Sequence, residues 1–201
     1  MKKSSKNYIW ILVANGLLIA TVAIVFHLKA TTAVFSADAG EAIVPVLQGD
    51  MARMEIFNPR KSLPPFVYLK DLESEAAVHD LKGQWTLLNL WATWCAPCLT
   101  ELPSLQKLHD AYSDDGFQVV AISLDIVQDP IEIQAAVKSY KLGDIALNWD
   151  SQGEIFRTLP QGGIPISYIL DPEGNVFAQF KGDTDWSSPD AHAFVDSLLE
   201  K

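Results

Sequence analysis

Cysteine is scarce in this sequence: Cys95 and Cys98 are the only two among 201 residues. So small a number excludes a scaffold held together by several disulfides, and no second C-x-x-C or paired histidine is present to complete a zinc site. A disulfide across so short a loop would restrain the unfolded chain little, which argues against a purely structural bridge. The C-x-x-C spacing therefore predicts a redox-active pair.

Acidic residues are absent from the first 29 positions, although the whole chain carries a net charge of −10. Lys2, Lys3, Lys6 and Lys29 are four of the 15 basic residues, which leaves 11 against all 25 acidic residues beyond position 29, a net charge of −14. A surface of that sign repels nucleic acid phosphates and anionic lipid headgroups. We therefore expect no nucleic-acid partner.

Charge is also missing from residues 8–28, an almost wholly apolar run. As a helix this run is long enough to cross a membrane core about 30 Å thick. Because lysines precede it, the positive-inside bias leaves residues 1–7 in the cytoplasm and exports the rest of the chain. In a bacterium this predicts a single-pass inner-membrane protein with its C-terminal domain in the periplasm. The alternative is a cleaved signal peptide, with Ala37-Asp38-Ala39 as the small-x-small site.

Beyond the apolar run, residues 29–60 are expected to form a tether and residues 61–201 one folded domain. Asn58-Pro59 and Pro64-Pro65 are breaker pairs that mark this boundary. Strand patterns then alternate with helical ones, and a hairpin and a final helix close the chain. This order predicts an α/β fold in which helices flank a central sheet.

The cysteine pair lies where a buried strand is expected to turn into a helix. Residues 86–91 form a near-continuous apolar run, and leucines recur every three residues over residues 99–108. Cys95 would then lie at the helix N-terminus, where free N–H groups and the helix dipole favour a thiolate. Cys98, one turn further on, would be shielded and able to attack a bond that Cys95 makes to a substrate. Pro97 suits the first helical turn.

The sequence resembles the thioredoxin-like superfamily, and within it the membrane-anchored TlpA-type thiol-disulfide oxidoreductases. The resemblance implies a thioredoxin-like fold, with a central mixed β-sheet flanked by helices and preceded by one N-terminal transmembrane helix. It also implies dithiol–disulfide exchange. The stretches that carry it are Leu88–Cys98, Glu101-Leu102-Pro103, Val119–Ser123, Gly163-Ile164-Pro165 and Asp171–Gly174.

The resemblance also implies roles for individual residues. Cys95 would be the attacking thiolate and Cys98 the resolving cysteine. Pro165 would be a cis-proline packed against the disulfide, with the backbone of Ile164 pairing with an extended substrate segment. An ordinary trans proline at a strand start is the alternative. Glu101 matches an acid of the family's active-site helix and would tune the cysteine pKa values and help move protons, with a solvated surface carboxylate as the alternative.

Further residues near the pair follow the family pattern in part. Trp94, Ala96 and Pro97 are expected to contact the substrate, and Trp94 would contribute to an apolar patch for a partner. Asn89 stands where thioredoxins place a buried aspartate, as it usually does in TlpA-like proteins. Ile166 stands where the family often has threonine, which leaves the fit to a partner open.

The function that the resemblance implies is reduction of disulfides in exported client proteins. Its setting would be respiratory-complex maturation, with apocytochrome c or the cysteines of copper chaperones and oxidase subunits as clients. An inner-membrane electron donor would then reduce the Cys95–Cys98 bond. No cofactor beyond this pair and no metal site is expected. The rival functions are a disulfide donor or isomerase with the same motif, and a copper-binding chaperone that uses the dithiol without catalysis.

Overall fold

A computed structural model describes residues 45–159 and 162–200 of the chain. A 3₁₀ turn at Gly49–Arg53 comes first, and further 3₁₀ turns lie at Val78–Leu81, Ser113–Asp115 and Asp144–Ala146. The strands and α-helices are, in chain order, β1 (Glu55–Ser62), β2 (Val67–Lys70), β3 (Ser74–Ala77), β4 (Trp85–Trp91), α1 (Ala96–Tyr112), β5 (Phe117–Ser123), α2 (Ile131–Tyr140), β6 (Asn148–Trp149), α3 (Glu154–Thr158), β7 (Ile166–Leu170), β8 (Asn175–Lys181) and α4 (Pro189–Leu198).

The strands join in one sheet in the order β1-β8-β7-β4-β5-β6-β2-β3. Strand β4 runs parallel to β5 and antiparallel to β7, so the sheet is mixed. All seven residues of β4 are buried, which explains the near-continuous apolar run at residues 86–91. The predicted α/β architecture, a central mixed sheet flanked by helices, is confirmed.

Hydrophobic clusters cover both faces of the sheet. Side chains alternate along β4: Leu87 and Trp91 join the cluster that holds the buried faces of α1 and α4, while Leu88 and Leu90 join a second cluster with residues of β1 and α3. Asn89 lies on the same side as Leu87 and Trp91, and its amide contacts α1. The fold thus places one polar side chain of the central strand beneath the helix that the cysteines open.

The sheet begins within the segment that the sequence assigned to the tether. Strand β1 pairs antiparallel with β8, and its Phe57 is only 7% exposed. The cis peptide Asn58–Pro59 lies inside this strand. Because β1 is at the edge of the described sheet, one of its sides has no ladder partner among the described strands, and a proline is tolerated there. The sheet therefore begins at residue 55, ahead of the predicted boundary at residue 61.

Two local expectations also differ from the structure. The sequence of residues 76–83, which ends at a glycine, predicts a helical turn, but Ser74–Ala77 is strand β3 and only the residues after it form a 3₁₀ turn. Pro130 and Gly143 predict a helix from residue 130 to about residue 142, but α2 ends at Tyr140, with Lys141 in the left-handed conformation. In both places the cause is local, since a short segment and a single non-glycine cap carry little signal in sequence.

The predicted cytoplasmic N-terminus (1–7), the anchor (8–28) and the first part of the tether lie outside the described residues. Within residues 45–159 and 162–200, no helix is long and apolar enough to cross a membrane. The anchor therefore stays a prediction from the sequence.

Candidate active site

The cysteine pair opens α1 just after the buried strand β4, as predicted. Cys95 is the N-cap of the helix, and Cys95 and Cys98 are joined as a disulfide. The backbone N–H of Cys98 donates to Cys95 Sγ over 3.3 Å, so one amide of the first helical turn is directed at this sulfur. Cys95 is 5% exposed and Cys98 is fully buried. A partner therefore reaches Cys95 first, and the helix N-terminus favours a thiolate there after reduction.

The start of β7 lies beside the end of β4. Leu90 of β4 pairs with Ile166 of β7, which places Pro165 at the end of the sheet from which the cysteine loop emerges. The Ile164–Pro165 peptide is cis, so the predicted isomer is confirmed and the trans alternative is wrong. Pro165 is buried and Ile164 is half-buried. The pairing of the Ile164 backbone with a substrate stays a prediction.

Glu101 lies on the buried face of the cysteine helix α1, with 3% of its surface exposed. Its Oε1 accepts a hydrogen bond from Asn89 Nδ2 at 2.8 Å, and its Oε2 accepts one from Trp186 Nε1 at 3.3 Å. Asn89 Nδ2 also donates to Ser167 Oγ of β7 at 3.0 Å. The alternative of a solvated surface carboxylate is therefore wrong. Because Glu101 follows Cys98 by three residues, the two side chains leave α1 on the same side.

The pKa of the Glu101 carboxyl is raised toward neutral pH. Burial raises its pKa from 4.5 to about 7, because the charged carboxylate loses its hydration. Hydrogen bonds from Asn89, Trp186 and the backbone of Thr184 oppose this rise, and the charge of Asp183 adds to it. An open cavity of about 420 Å³ is lined by both Glu101 and Asp183. The carboxyl can therefore gain or lose a proton near pH 7.

A second buried carboxylate, which the sequence analysis did not identify, holds the loop before the cysteines. Asp125 is 4% exposed and accepts hydrogen bonds from Thr93 N at 2.9 Å and Thr93 Oγ1 at 2.7 Å. Ser123 Oγ donates to the same carboxylate at 2.6 Å, and Trp149 Nε1 donates to the Asp125 carbonyl at 2.9 Å. Asp125, which lies just after the end of β5, thus holds in place the loop that contains Trp94. The available signal was an acid directly after a predicted buried strand.

The residues expected to contact a substrate lie on the surface around Cys95. Trp94 is 68% exposed, and Ala96 and Pro97 are exposed as well. Trp91, by contrast, is fully buried and packs in the core. The structure therefore brings Trp94, Ala96 and Pro97 together at the mouth of the site, although it does not by itself test their binding role.

Two other features of the described residues do not add to this site. A cavity of about 600 Å³ lies between the end of β1, the β2–β3 pair and the β7–β8 turn, and neither cysteine lines it. Its lining includes His79, Lys82, Glu154 and Glu173 but no cysteine, so it takes no part in disulfide exchange. In the part of the chain that the structure describes, no three His, Cys, Asp or Glu side chains converge as metal ligands.

Family membership agrees with this geometry. Residues 59–188 match the AhpC/TSA family, a stretch well over half of the chain, and the protein belongs to that family. A cysteine pair that forms a disulfide at a helix N-terminus, together with relatives of that activity, makes it a thioredoxin-like thiol-disulfide oxidoreductase.

Its relatives define the group more narrowly. Thiol-disulfide oxidoreductase ResA of Bacillus cereus is 33% identical over 137 residues, which cover 68% of this chain and 77% of that protein. Sporulation thiol-disulfide oxidoreductase A of Bacillus subtilis is 31% identical over 116 residues, or 57% of this chain and 70% of that protein. The predicted resemblance to thioredoxin-like oxidoreductases is therefore confirmed.

Solved structures confirm the predicted thioredoxin-like fold. A secreted thiol-disulfide isomerase from Corynebacterium glutamicum superposes with a TM-score of 0.59 at 22% identity, over 74% of this chain and 93% of that one. StoA from Bacillus subtilis superposes with a TM-score of 0.52 at 24% identity, over 69% of this chain and 97% of that one. At such identities the likeness concerns the fold alone.

Proposed function

We propose that this oxidoreductase is a membrane-anchored disulfide reductase that acts on exported client proteins. The geometry at Cys95 carries the proposal. Its sulfur accepts a hydrogen bond from a backbone N–H of the helix. Its partner Cys98 lies one turn further on and is fully buried. The buried carboxyl of Glu101, with a pKa of about 7, follows three residues later. The ResA relatives carry the same class of activity in their names, which supports exchange without fixing its direction.

Exchange proceeds by two displacements. The Cys95 thiolate attacks one sulfur of a client disulfide, which forms a mixed disulfide and releases the other client sulfur as a thiolate that takes up a proton. Cys98 then loses its proton and attacks Cys95 Sγ, which releases the second client sulfur. Two electrons pass from the protein to the client, and the protein ends with a Cys95–Cys98 disulfide. An inner-membrane electron donor returns this bond to the dithiol.

We assign to Glu101 the role of accepting the proton that the Cys98 thiol loses in the second displacement. The sulfur of Cys98 is fully buried, so its proton cannot pass directly to bulk water. Glu101 leaves α1 on the same side and changes protonation near pH 7, which suits it to accept that proton. The cavity that Glu101 lines offers the route from its carboxyl to solvent. Asn89 and Trp186 hold the two carboxyl oxygens during the transfer.

The cellular setting follows from the N-terminal sequence and the family resemblance. The apolar run 8–28 and the lysines before it support an uncleaved anchor with the catalytic domain outside the cytoplasm. Such compartments keep cysteines oxidised, so a reductase there depends on a dedicated electron source. The resemblance supports clients from respiratory-complex maturation: apocytochrome c, copper chaperones or oxidase subunits.

A Cys98→Ser variant of the full chain tests the proposed exchange and identifies the client. Without the second sulfur, the client stays bound to Cys95, and mass spectrometry of bands that shift on non-reducing gels should name it. Cys95→Ser is the matched control, and it should trap nothing because Cys98 is buried. Equal trapping by the two variants, or none by Cys98→Ser, would contradict the mechanism.

A redox titration of the purified protein decides the direction of exchange. A potential close to the −270 mV of thioredoxin supports reduction of clients, whereas a potential close to the −120 mV of a strong oxidant supports the rival function as a disulfide donor. Copper binding by the reduced protein without disulfide exchange would instead support the chaperone.

A further inference from the structure

A groove beside the cysteine pair is lined by residues from outside the cysteine loop. Its volume is about 430 Å³; Trp94 forms one wall, and Ile126, Val127 and Phe156, from the segment after β5 and from α3, form the other. Trp94 is 68% exposed, Ile126 81% and Phe156 43%. Large apolar side chains that gather at the surface in one place mark binding sites, whereas scattered ones do not.

The loop that carries Trp94 and the segment that carries Ile126 are held together by the Asp125 carboxylate. Thr93, next to Trp94, donates two hydrogen bonds to it, and Asp125 itself precedes Ile126. The indole N–H of Trp149 donates a hydrogen bond to the Asp125 carbonyl at 2.9 Å. The groove is therefore formed before a partner arrives, which lowers the entropic cost of binding.

The position of the groove limits what can occupy it. Trp94 lines the groove and directly precedes Cys95. When a client polypeptide presents its disulfide to Cys95 Sγ, the client residues next to its cysteine therefore lie beside Trp94. Continuity with the reactive sulfur thus favours the segment that flanks the client cysteine as the occupant. The apolar walls favour apolar side chains in that segment.

The charges of the residues that line the groove further limit which client segment can bind there. Glu132 lines the groove and is exposed, whereas the Asp125 carboxylate is buried and already accepts hydrogen bonds. None of the described residues that line the groove is basic. We infer that the groove binds an apolar client segment next to the attacked cysteine, with a lysine or arginine placed against Glu132. The inference rests on the proposed reductase function, whose client site it extends to Ile126, Phe156 and Glu132.

Reduction of two model disulfides by the reduced full-length protein in detergent tests this inference. One substrate is the disulfide-linked dimer of an eight-residue peptide with leucine, phenylalanine and lysine around its cysteine; the other is bis(2-hydroxyethyl) disulfide, too small to fill the groove. Ile126→Ser should lower the ratio of the two second-order rate constants at least fivefold. Ile126→Leu should keep the ratio within twofold, as should Tyr140→Ala, which removes an exposed apolar side chain outside the groove.

A second comparison tests the charge. Exchanging the peptide lysine for glutamate should slow the wild-type reaction about two- to threefold, and Glu132→Gln should abolish that preference, as expected for an exposed ion pair. An unchanged ratio for Ile126→Ser, including equal slowing of both substrates, overturns the inference. So does a loss of self-association by Ile126→Ser with an unchanged ratio, because the groove would then join two copies of the chain. Wild-type protein that reduces neither substrate would instead contradict the proposed function.

Discussion

At the scale of single residues, the ionisation of Glu101 links stability to pH. Its pKa in the folded protein, about 7, lies above the ordinary 4.5, so the folded state holds this proton more tightly than the unfolded chain. The resulting stabilisation is fully present below pH 4.5 and is lost as the pH rises through 7. Glu101→Gln should remove this dependence. Between pH 5 and 8 the wild-type protein should lose about 2–3 kcal/mol of unfolding free energy that the variant keeps.

Urea unfolding at pH 5, 6, 7 and 8 measures this difference, with the exposed Glu75→Gln as control. The slope with pH is the quantity to compare, because the glutamine amide offers only one acceptor to the two donors Asn89 and Trp186 and lowers stability at every pH. Identical slopes for wild type and Glu101→Gln would contradict the buried acid. Unchanged apparent thiol pKa values in a titration of the reduced variant would remove its assigned role in exchange.

Sequence reasoning reached some of these residues and not others. The position of Cys95 at a helix N-terminus followed from local motifs, and the role of Glu101 was implied by the family resemblance. The burial of Glu101 did not, because it depends on an indole 85 residues further along the chain, at Trp186. Asp125 escaped notice for the same reason: its partner Thr93 lies 32 residues away, and only the parallel pairing of β4 and β5 brings them together.

At the scale of elements, removal of the edge strand β1 tests where the folded domain begins. A chain that starts at residue 63 lacks β1 and leaves one side of the β8 backbone unpaired, whereas a chain that starts at residue 45 keeps β1 and its pairing with β8. Loss of the buried Phe57 alone should cost about 1.5–3 kcal/mol of unfolding free energy. We expect a lower urea midpoint and more aggregation for the shorter chain, because β8 becomes an open edge.

Phe57→Ala in the chain that starts at residue 45 separates the side chain from the strand. It should account for the packing loss without the aggregation. Equal urea midpoints for the two truncated chains would mean that β1 contributes nothing to the fold. The elements that sequence predicted well, β4 and α1, carry their signal locally, as an apolar run and a leucine period. Strand β1 carries none, because a proline in an edge strand looks like a breaker until its partner is known.

At the scale of the whole molecule, the asymmetry of charge predicts the orientation of the chain. The full protein should sediment with membranes, and the chain that starts at residue 45 should not, because it lacks the run 8–28. Cells are stripped of their outer layers, with the cytoplasmic membrane left intact, and are treated with a reductant. A membrane-impermeant maleimide should then label Cys95. Replacing Lys2, Lys3 and Lys6 by glutamate should reduce this labelling several-fold by removing the positive-inside signal. Labelling only after lysis of the wild-type cells would place the domain on the cytoplasmic side.

The amide of Asn89 joins the central strand to both neighbours of the site, through Glu101 on α1 and Ser167 on β7. An amide neither titrates nor is oxidised, so the Asn89 donor itself is unchanged by pH and by the redox state of the cysteines. Among the described residues that hydrogen-bond to Asn89, Glu101 is the one carboxyl, whereas an aspartate in place of Asn89 would form a coupled pair with it. Apart from the thiols themselves, catalysis should follow a single-proton curve with pH, without the split macroscopic constants that two interacting acids produce.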